Sequence, residues 1–231
     1  MELNTDFAAR VVVHSAQLDW VDSPMKGVQR RMLDRIGDEV ARATSIVKYD
    51  PGSQFSPHVH TGGEEFVVLD GVFSDEHGDF PAGSYIRNPP TSSHTPGSSP
   101  GCVIFVKLWQ FDPADRTHVR LQYDKMGRLP DPQRPGVEVT PLYQDERETV
   151  QLEYWAQGMQ VQLSLPEGAE FLVLDGSVND GVDTLTQHSW LRMPIGSALH
   201  AKAGADGATV WVKTRRLRFV APPSPLSLIH I

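Results

Sequence analysis

The sequence predicts an all-β protein in which one sandwich or barrel occurs twice. EFVVLDG at 65–71 returns as EFLVLDG at 170–176, SYIRNPP at 84–90 as SWLRMPI at 189–195, and CVIFVK at 102–107 as ATVWVK at 208–213. The first two pairs are offset by 105 residues and the third by 106, so the matches are colinear with one residue inserted in a loop. Such internal repetition decides the architecture before any single element is read. Short apolar runs punctuated by 19 glycines and 18 prolines, with few long helical patterns, add the β character.

Taken along the chain, the first copy is expected over residues 1–125. Val28, Met32, Ile36 and Val40 recur every four residues, which also suits an amphipathic helix; the duplication favours strands there. HVH at 58–60, the apolar runs after Glu64 and after PAG (81–83), and CVIFVKLW from Cys102 supply further strands. MGRLPDPQRPG (126–136), rich in Pro and Gly, is the expected linker. In the second copy, 126–220, Val150, Leu152 and Tyr154 alternate with polar residues, AQG turns the chain, and Met159, Val161 and Leu163 alternate again. The final residues, 221–231, fit neither copy. PLSLIHI resembles read-through of a sequencing adapter, so this tail, His230 included, is expected to be non-native and is set aside.

Composition removes several function classes. A net charge of −8 argues against a general grip on nucleic acid or anionic lipid. No apolar run approaches a membrane span, and MELNTDFAAR lacks the apolar core of a signal peptide. The single cysteine, Cys102, excludes an intrachain disulfide framework and suits a reducing cytoplasm; inside an apolar run it reads as an inert core thiol. A soluble, cytoplasmic protein is expected.

The chemistry concentrates in PHVHTGGEEFVVLDG, residues 57–71. His58 and His60 are two residues apart, so on a strand both project from one face, where neutral imidazoles can hold a transition metal. Thr61-Gly62-Gly63 turns the chain. Glu64 and Glu65 point to opposite faces, so only one of them can join the site. His94 follows a second turn, PPTSSH. Three nitrogens and one oxygen suit Zn, Fe, Mn or Ni. The second copy lacks this set. Aligned without gaps, Leu163 and Leu165 replace His58 and His60, while the inserted residue carries His94 onto His200; Glu170 and His200 are expected to be structural. His14, His77, His118 and His188 lack partners at ligand spacing and are expected at the surface.

These residues resemble the cupins. Gly52, His58, His60, Glu64 and Gly71 satisfy every spacing of the first cupin motif, and that spacing selects Glu64 over Glu65. The second motif keeps PAG but has Ile86 where a histidine is usual. EEFVVLDGVFSDEHGDFPAGSYIRNPPTSSHTP is similar to the cupin domain of the ChrR type, whose fourth ligand is the later histidine, here His94. The resemblance implies a bicupin of two tandem double-stranded β-helix (jelly-roll) domains, with one divalent transition metal on His58, His60, Glu64 and His94, Zn or Fe before Mn or Ni. It also implies that the second cupin is degenerate; because the open edges of an isolated barrel favour aggregation, this copy is expected to be structural and to pack on the first. The ChrR anti-sigma module uses cysteine ligands, and no cysteine precedes Cys102, so a sigma factor is not an expected partner. A small-molecule ligand or substrate is expected, and a homodimer is allowed.

Two functions follow from the resemblance. With Fe(II), open coordination positions would serve a dioxygenase acting on a ketone- or diketone-like substrate; with Zn, a bound water could be hydrolytic. The alternative is a non-catalytic zinc-binding sensor in an oxidative, singlet-oxygen response. No general base announces itself, although Glu65 and Tyr85 lie near the motifs.

Overall fold

The computed structural model describes residues 1–38 and 40–220; the expected non-native tail, 221–231, lies outside them. The described residues form an all-β protein with three short 3-10 turns and no α-helix. No helix among them is long and apolar enough to cross a membrane. Contacts divide the chain into two compact units, one built on 1–5 and 19–125, the other on 6–18 and 126–220.

In the first unit, antiparallel strands run in the order Glu2–Leu3, Val28–Gly37, Ala41–Tyr49, Cys102–Leu108, Glu64–Asp75, Ser84–Asn88 and Val119–Gln122. Val28–Gly37 is a strand, as the duplication required, but a bulge between Met32 and Asp34 shifts its alternation, so Val28 and Met32 face one side of the sheet and Ile36 the other. Alternation fixes the interior. Phe66, Val68, Ile86, Ile104 and Val106 face one buried cluster, and each fully buried side chain of this size contributes about 1.5–3 kcal/mol. Cys102 joins that cluster, and burial pushes its thiol up to about 11, as an inert core residue requires.

The second unit repeats this order with Val137–Gln144, Thr149–Trp155, Ser197–Thr214, Ala169–Asn179 and Ser189–Met193. Thr149–Trp155 and Gln160–Leu165 are separate strands as the alternation requires, and both pair with the long strand Ser197–Thr214. Gly71 and Gly176 share one reason for being glycine. Each has positive φ (69° and 72°), and a Cβ there would lie 2.0 Å from the Gly101 carbonyl or 2.2 Å from the Gly207 carbonyl.

The N-terminus departs from the expected boundary. Asp6–Leu18 belongs to the second unit, not the first. Val11–His14 pairs with Ser189–Arg192, taking the place in the strand order that Val119–Gln122 takes in the first unit. Arg10 secures it by ion pairs to Asp180 (2.5 Å) and Asp183 (2.7 Å). His14 accordingly lies half-buried in this strand, with Nδ1 3.1 Å from Ser189 Oγ, rather than free at the surface. The expected linker is also partly ordered into sheet, since Leu129–Pro130 pairs with Glu138 and Val139.

Candidate metal centre

Two short strands, His58–Val59 and Ser93–His94, pair antiparallel and set His58 opposite His94. The backbone of His60 extends this contact: its N–H donates to Ser92 O at 2.8 Å, and its carbonyl accepts from Thr91 N–H at 2.9 Å. The three imidazoles therefore converge. Their ring centroids stand 4.5–5.0 Å apart at steep angles, and one nitrogen of each lies within 4.8 Å of the others.

Glu64 begins the next strand, and its Oε2 reaches this cluster, 3.6 Å from His60 Nε2 and 3.7 Å from His94 Nε2. The turn between is held by aromatic packing. A Cβ on Gly62 would lie 2.1 Å from the Trp109 ring, and one on Gly63, whose φ is +78°, 2.3 Å from the Phe111 ring. Trp109 N–H also donates to Gly63 O at 3.1 Å. Only glycines let the turn lie this close under two rings, which fixes the distance from His60 to Glu64.

Donors bound about 2.1 Å from one ion stand roughly 3.0–3.4 Å apart in octahedral or tetrahedral geometry. The Glu64 distances to His60 and His94 exceed this by a few tenths of an ångström, within side-chain adjustment, while the donors that all lie within 4.8 Å of one another are the three imidazoles. His60 Nε2 is buried and makes no hydrogen bond. Burial, with His94 and His58 beside it, holds His60 below the usual histidine range against the pull of Glu64, so the ring is neutral and its lone pair available. The residues present fit a transition-metal ion.

Three further groups orient the donors, and the sequence reading did not single them out. Asp75 Oδ2 lies 3.2 Å from His94 Nδ1 with a side chain only 1% exposed. Burial pulls His94 down, but Asp75 and Glu64 outweigh it and hold it above the usual range, with the Nδ1 proton facing Asp75. Nε2 is thereby left toward the cluster. Asn88 Nδ2 donates to Glu64 Oε2 at 3.2 Å, and Ser56 O lies 3.3 Å from His58 Nδ1. The signal for Asp75 was present in SDEHGD, but acidic residues before a Gly turn are common. His77 is drawn in as well, its Nδ1 3.3 Å from Asp75 Oδ1.

Glu65 and Tyr85 belong elsewhere. Glu65 lies opposite Arg87 and Lys107 on the other sheet face, buried, and accepts a 2.6 Å hydrogen bond from Tyr85 Oη. It neither enters the cluster nor faces solvent.

The second unit places leucine at the corresponding positions. Leu163 pairs with Leu199 as His58 pairs with His94, so the uniform offset of 105 holds through this strand and Leu199, not His200, is the counterpart of His94. Leu165, Ala169 and Leu199 lie buried in one apolar cluster, Leu163 packs against it, and His200 is exposed. The inserted residue falls later, between Lys202 and Gly207. Among the described residues no donor group gathers in this interior.

The ChrR cupin-like domain family model matches residues 8–112, which include all four donors. That stretch resembles a ChrR cupin-like domain. Structural likeness to proteins of cupin fold covers 89–94% of this chain. A candidate dioxygenase from Nostoc punctiforme aligns over 94% of this chain and 87% of its own, with a TM-score of 0.75 and 16% identity. YlbA of Escherichia coli aligns over 93% and 94%, with a TM-score of 0.70 and 13% identity. The bacterial pirin YhhW of Escherichia coli, solved with nickel(II), aligns over 90% and 99%, with a TM-score of 0.64 and 13% identity. At these identities the likeness concerns the fold. No match to a curated protein is found.

Proposed function

We propose that the chain is a bicupin whose first barrel binds one divalent transition metal through His58, His60, Glu64 and His94 and acts as a dioxygenase on a small ketone- or diketone-like molecule. The convergence of three imidazoles with an unpartnered, buried His60 Nε2 carries this reading. A ferrous ion held by these four protein donors would supply redox chemistry toward dioxygen and would leave room for an oxygen of the ligand. The chain's own residues do the rest. Asp75 and Ser56 direct His94 and His58, Asn88 steadies Glu64, and Phe73, 5.6 Å from the His94 ring, supplies an apolar wall that excludes water. The second barrel, filled by leucines, is structural.

The Nostoc neighbour supports the oxygenase reading, and the nickel-bound pirin supports metal binding on this fold. The match to the ChrR cupin favours a second reading, a zinc-binding sensor without turnover. Metal analysis of protein purified without added metal, followed by oxygen-electrode assays on Fe(II)-loaded protein with small diketones, separates the two. About one iron per chain and diketone-dependent oxygen uptake are expected. Tightly held zinc with no uptake after iron loading would establish the sensor, and absence of stoichiometric metal would remove both.

A further inference from the structure

Tyr49 is a half-buried group packed on the first unit's core, and the metal cluster assigns it no task. It ends the strand Ala41–Tyr49, between Val28 and Cys102, both buried in the core of the first unit, and packs against that core. Its ring meets Phe55 edge-on at 5.2 Å and Phe73 at 6.0 Å, and Phe73 in turn lies 5.6 Å from the His94 ring. A continuous aromatic wall thus runs from Tyr49 to the imidazoles. The Tyr49 hydroxyl makes no hydrogen bond with any described residue, unlike Tyr85, whose Oη is committed to Glu65. Burial first, then the neighbouring Glu64 and Cys102, hold this hydroxyl well above the usual tyrosine range. It is a donor beside the apolar rings of Phe55 and Phe73. A polar group so placed among apolar walls is how a small-molecule pocket fixes the orientation of its ligand.

We propose that Tyr49 contacts the ligand of the metal pocket, its hydroxyl donating a hydrogen bond to one oxygen of a small apolar molecule that carries two carbonyl groups. The apolar body lies along Phe55 and Phe73, one oxygen faces the His58–His60–His94 cluster and the other faces Tyr49. This rests on the metal reading given above and adds the residue that selects the ligand.

The test uses full-length protein loaded with Co(II), whose visible bands report a change of ligand, titrated with pentane-2,4-dione. Tyr49→Phe removes only the hydroxyl. It should bind Co(II) with wild-type affinity and melt at a similar temperature, yet bind the dione about five- to tenfold more weakly, the loss expected for one hydrogen bond to a neutral acceptor. On the wild type, pentan-2-one, which lacks the second oxygen, should also bind at least about fivefold more weakly than the dione; this arm does not depend on the variant folding. Equal dione affinity in Tyr49→Phe, or equal affinity of the wild type for the two ketones, overturns the proposal. So does joint loss of Co(II), which would make Tyr49 a support of the metal donors. A wild type that binds Co(II) but not the dione overturns this proposal alone, whereas failure to bind Co(II) overturns the metal reading beneath it.

Discussion

Replacing Asp75 by Asn tests whether metal affinity is set outside the four donors. The carboxylate is 1% exposed and sits between His94 Nδ1, 3.2 Å from Oδ2, and His77, whose Nδ1 is 3.3 Å and whose N–H is 2.7 Å from Oδ1. As a carboxylate it only accepts, so the His94 proton is held on Nδ1 and the Nε2 lone pair is left for an ion. An amide in the same volume must turn its NH₂ toward one of the two histidines. If it faces His94, Nδ1 becomes the acceptor and the proton moves to Nε2, the atom needed for coordination. If it faces His77, the contact to His94 survives without its charge. Loss of such an outer partner costs about 10- to 100-fold in metal affinity, or roughly 1.4–2.8 kcal/mol. Zn(II) competition against a chromophoric chelator measures this directly, and a thermal melt of the metal-free protein controls for general damage. The expected result is a large loss of affinity with a small change in melting. Affinity within twofold of wild type, in a protein where His60→Ala abolishes binding, would show that Asp75 does not direct the ligand.

The two adjacent carboxylates should separate cleanly: Glu64→Gln weakens metal binding at least about tenfold, while Glu65→Gln keeps the metal. The reverse outcome in metal titrations would reassign the ligand. Arg10→Ala should cost about 1–2 kcal/mol at neutral pH by denaturant melts, because Arg10 pairs with Asp180 and Asp183. Burial raises Asp180, but hydrogen bonds from Asp183 N–H and Arg10 outweigh it and hold its folded value below the ordinary one. The stabilisation is therefore fully present above the unfolded aspartate value, about 3.9, and fades as pH falls through the lower folded value. A wild-type-to-variant difference that stays constant down to about pH 2.5 would contradict this. Leu199→Ala should destabilise by about 2–5 kcal/mol through a core cavity without changing metal content, whereas loss of metal would mean the second unit contributes to binding.

What the sequence made legible follows from local rules. The period of two, the Gly-bounded turns and the repeated LDG all leave marks within a few residues. Val11–His14 left none, because its partner strand begins at Ser189 and nothing near residue 11 records that pairing. The candidate donors were legible because a metal site of this kind would need His58, His60 and Glu64 at close spacing. Asp75 and Tyr49 act through contacts made only when distant strands close the barrel, and neither residue type is unusual at its place in the chain. His200 shows the limit of counting. A single inserted residue can be placed on either side of a histidine, and only the register Leu163–Leu199 decides which side chain faces inward.

The leucines of the second unit also explain why the first unit's interior is informative. Burying three imidazoles and a carboxylate costs desolvation that apolar side chains avoid. The second unit takes the apolar solution at all four positions, with Leu163, Leu165, Ala169 and Leu199, and turns His200 out to solvent. Even the counterpart of Asp75 is redeployed, since Asp180 binds Arg10 instead of a histidine. Strand order and bulged LDG corner survive these changes, so the barrel itself does not need the polar cluster. In the first unit the cluster is kept together with its supports, Asp75 on His94 and Asn88 on Glu64, and with the two glycines under Trp109 and Phe111. Folding alone would favour leucine there, as it does one repeat later. That contrast supports the proposal that the imidazoles hold a metal ion.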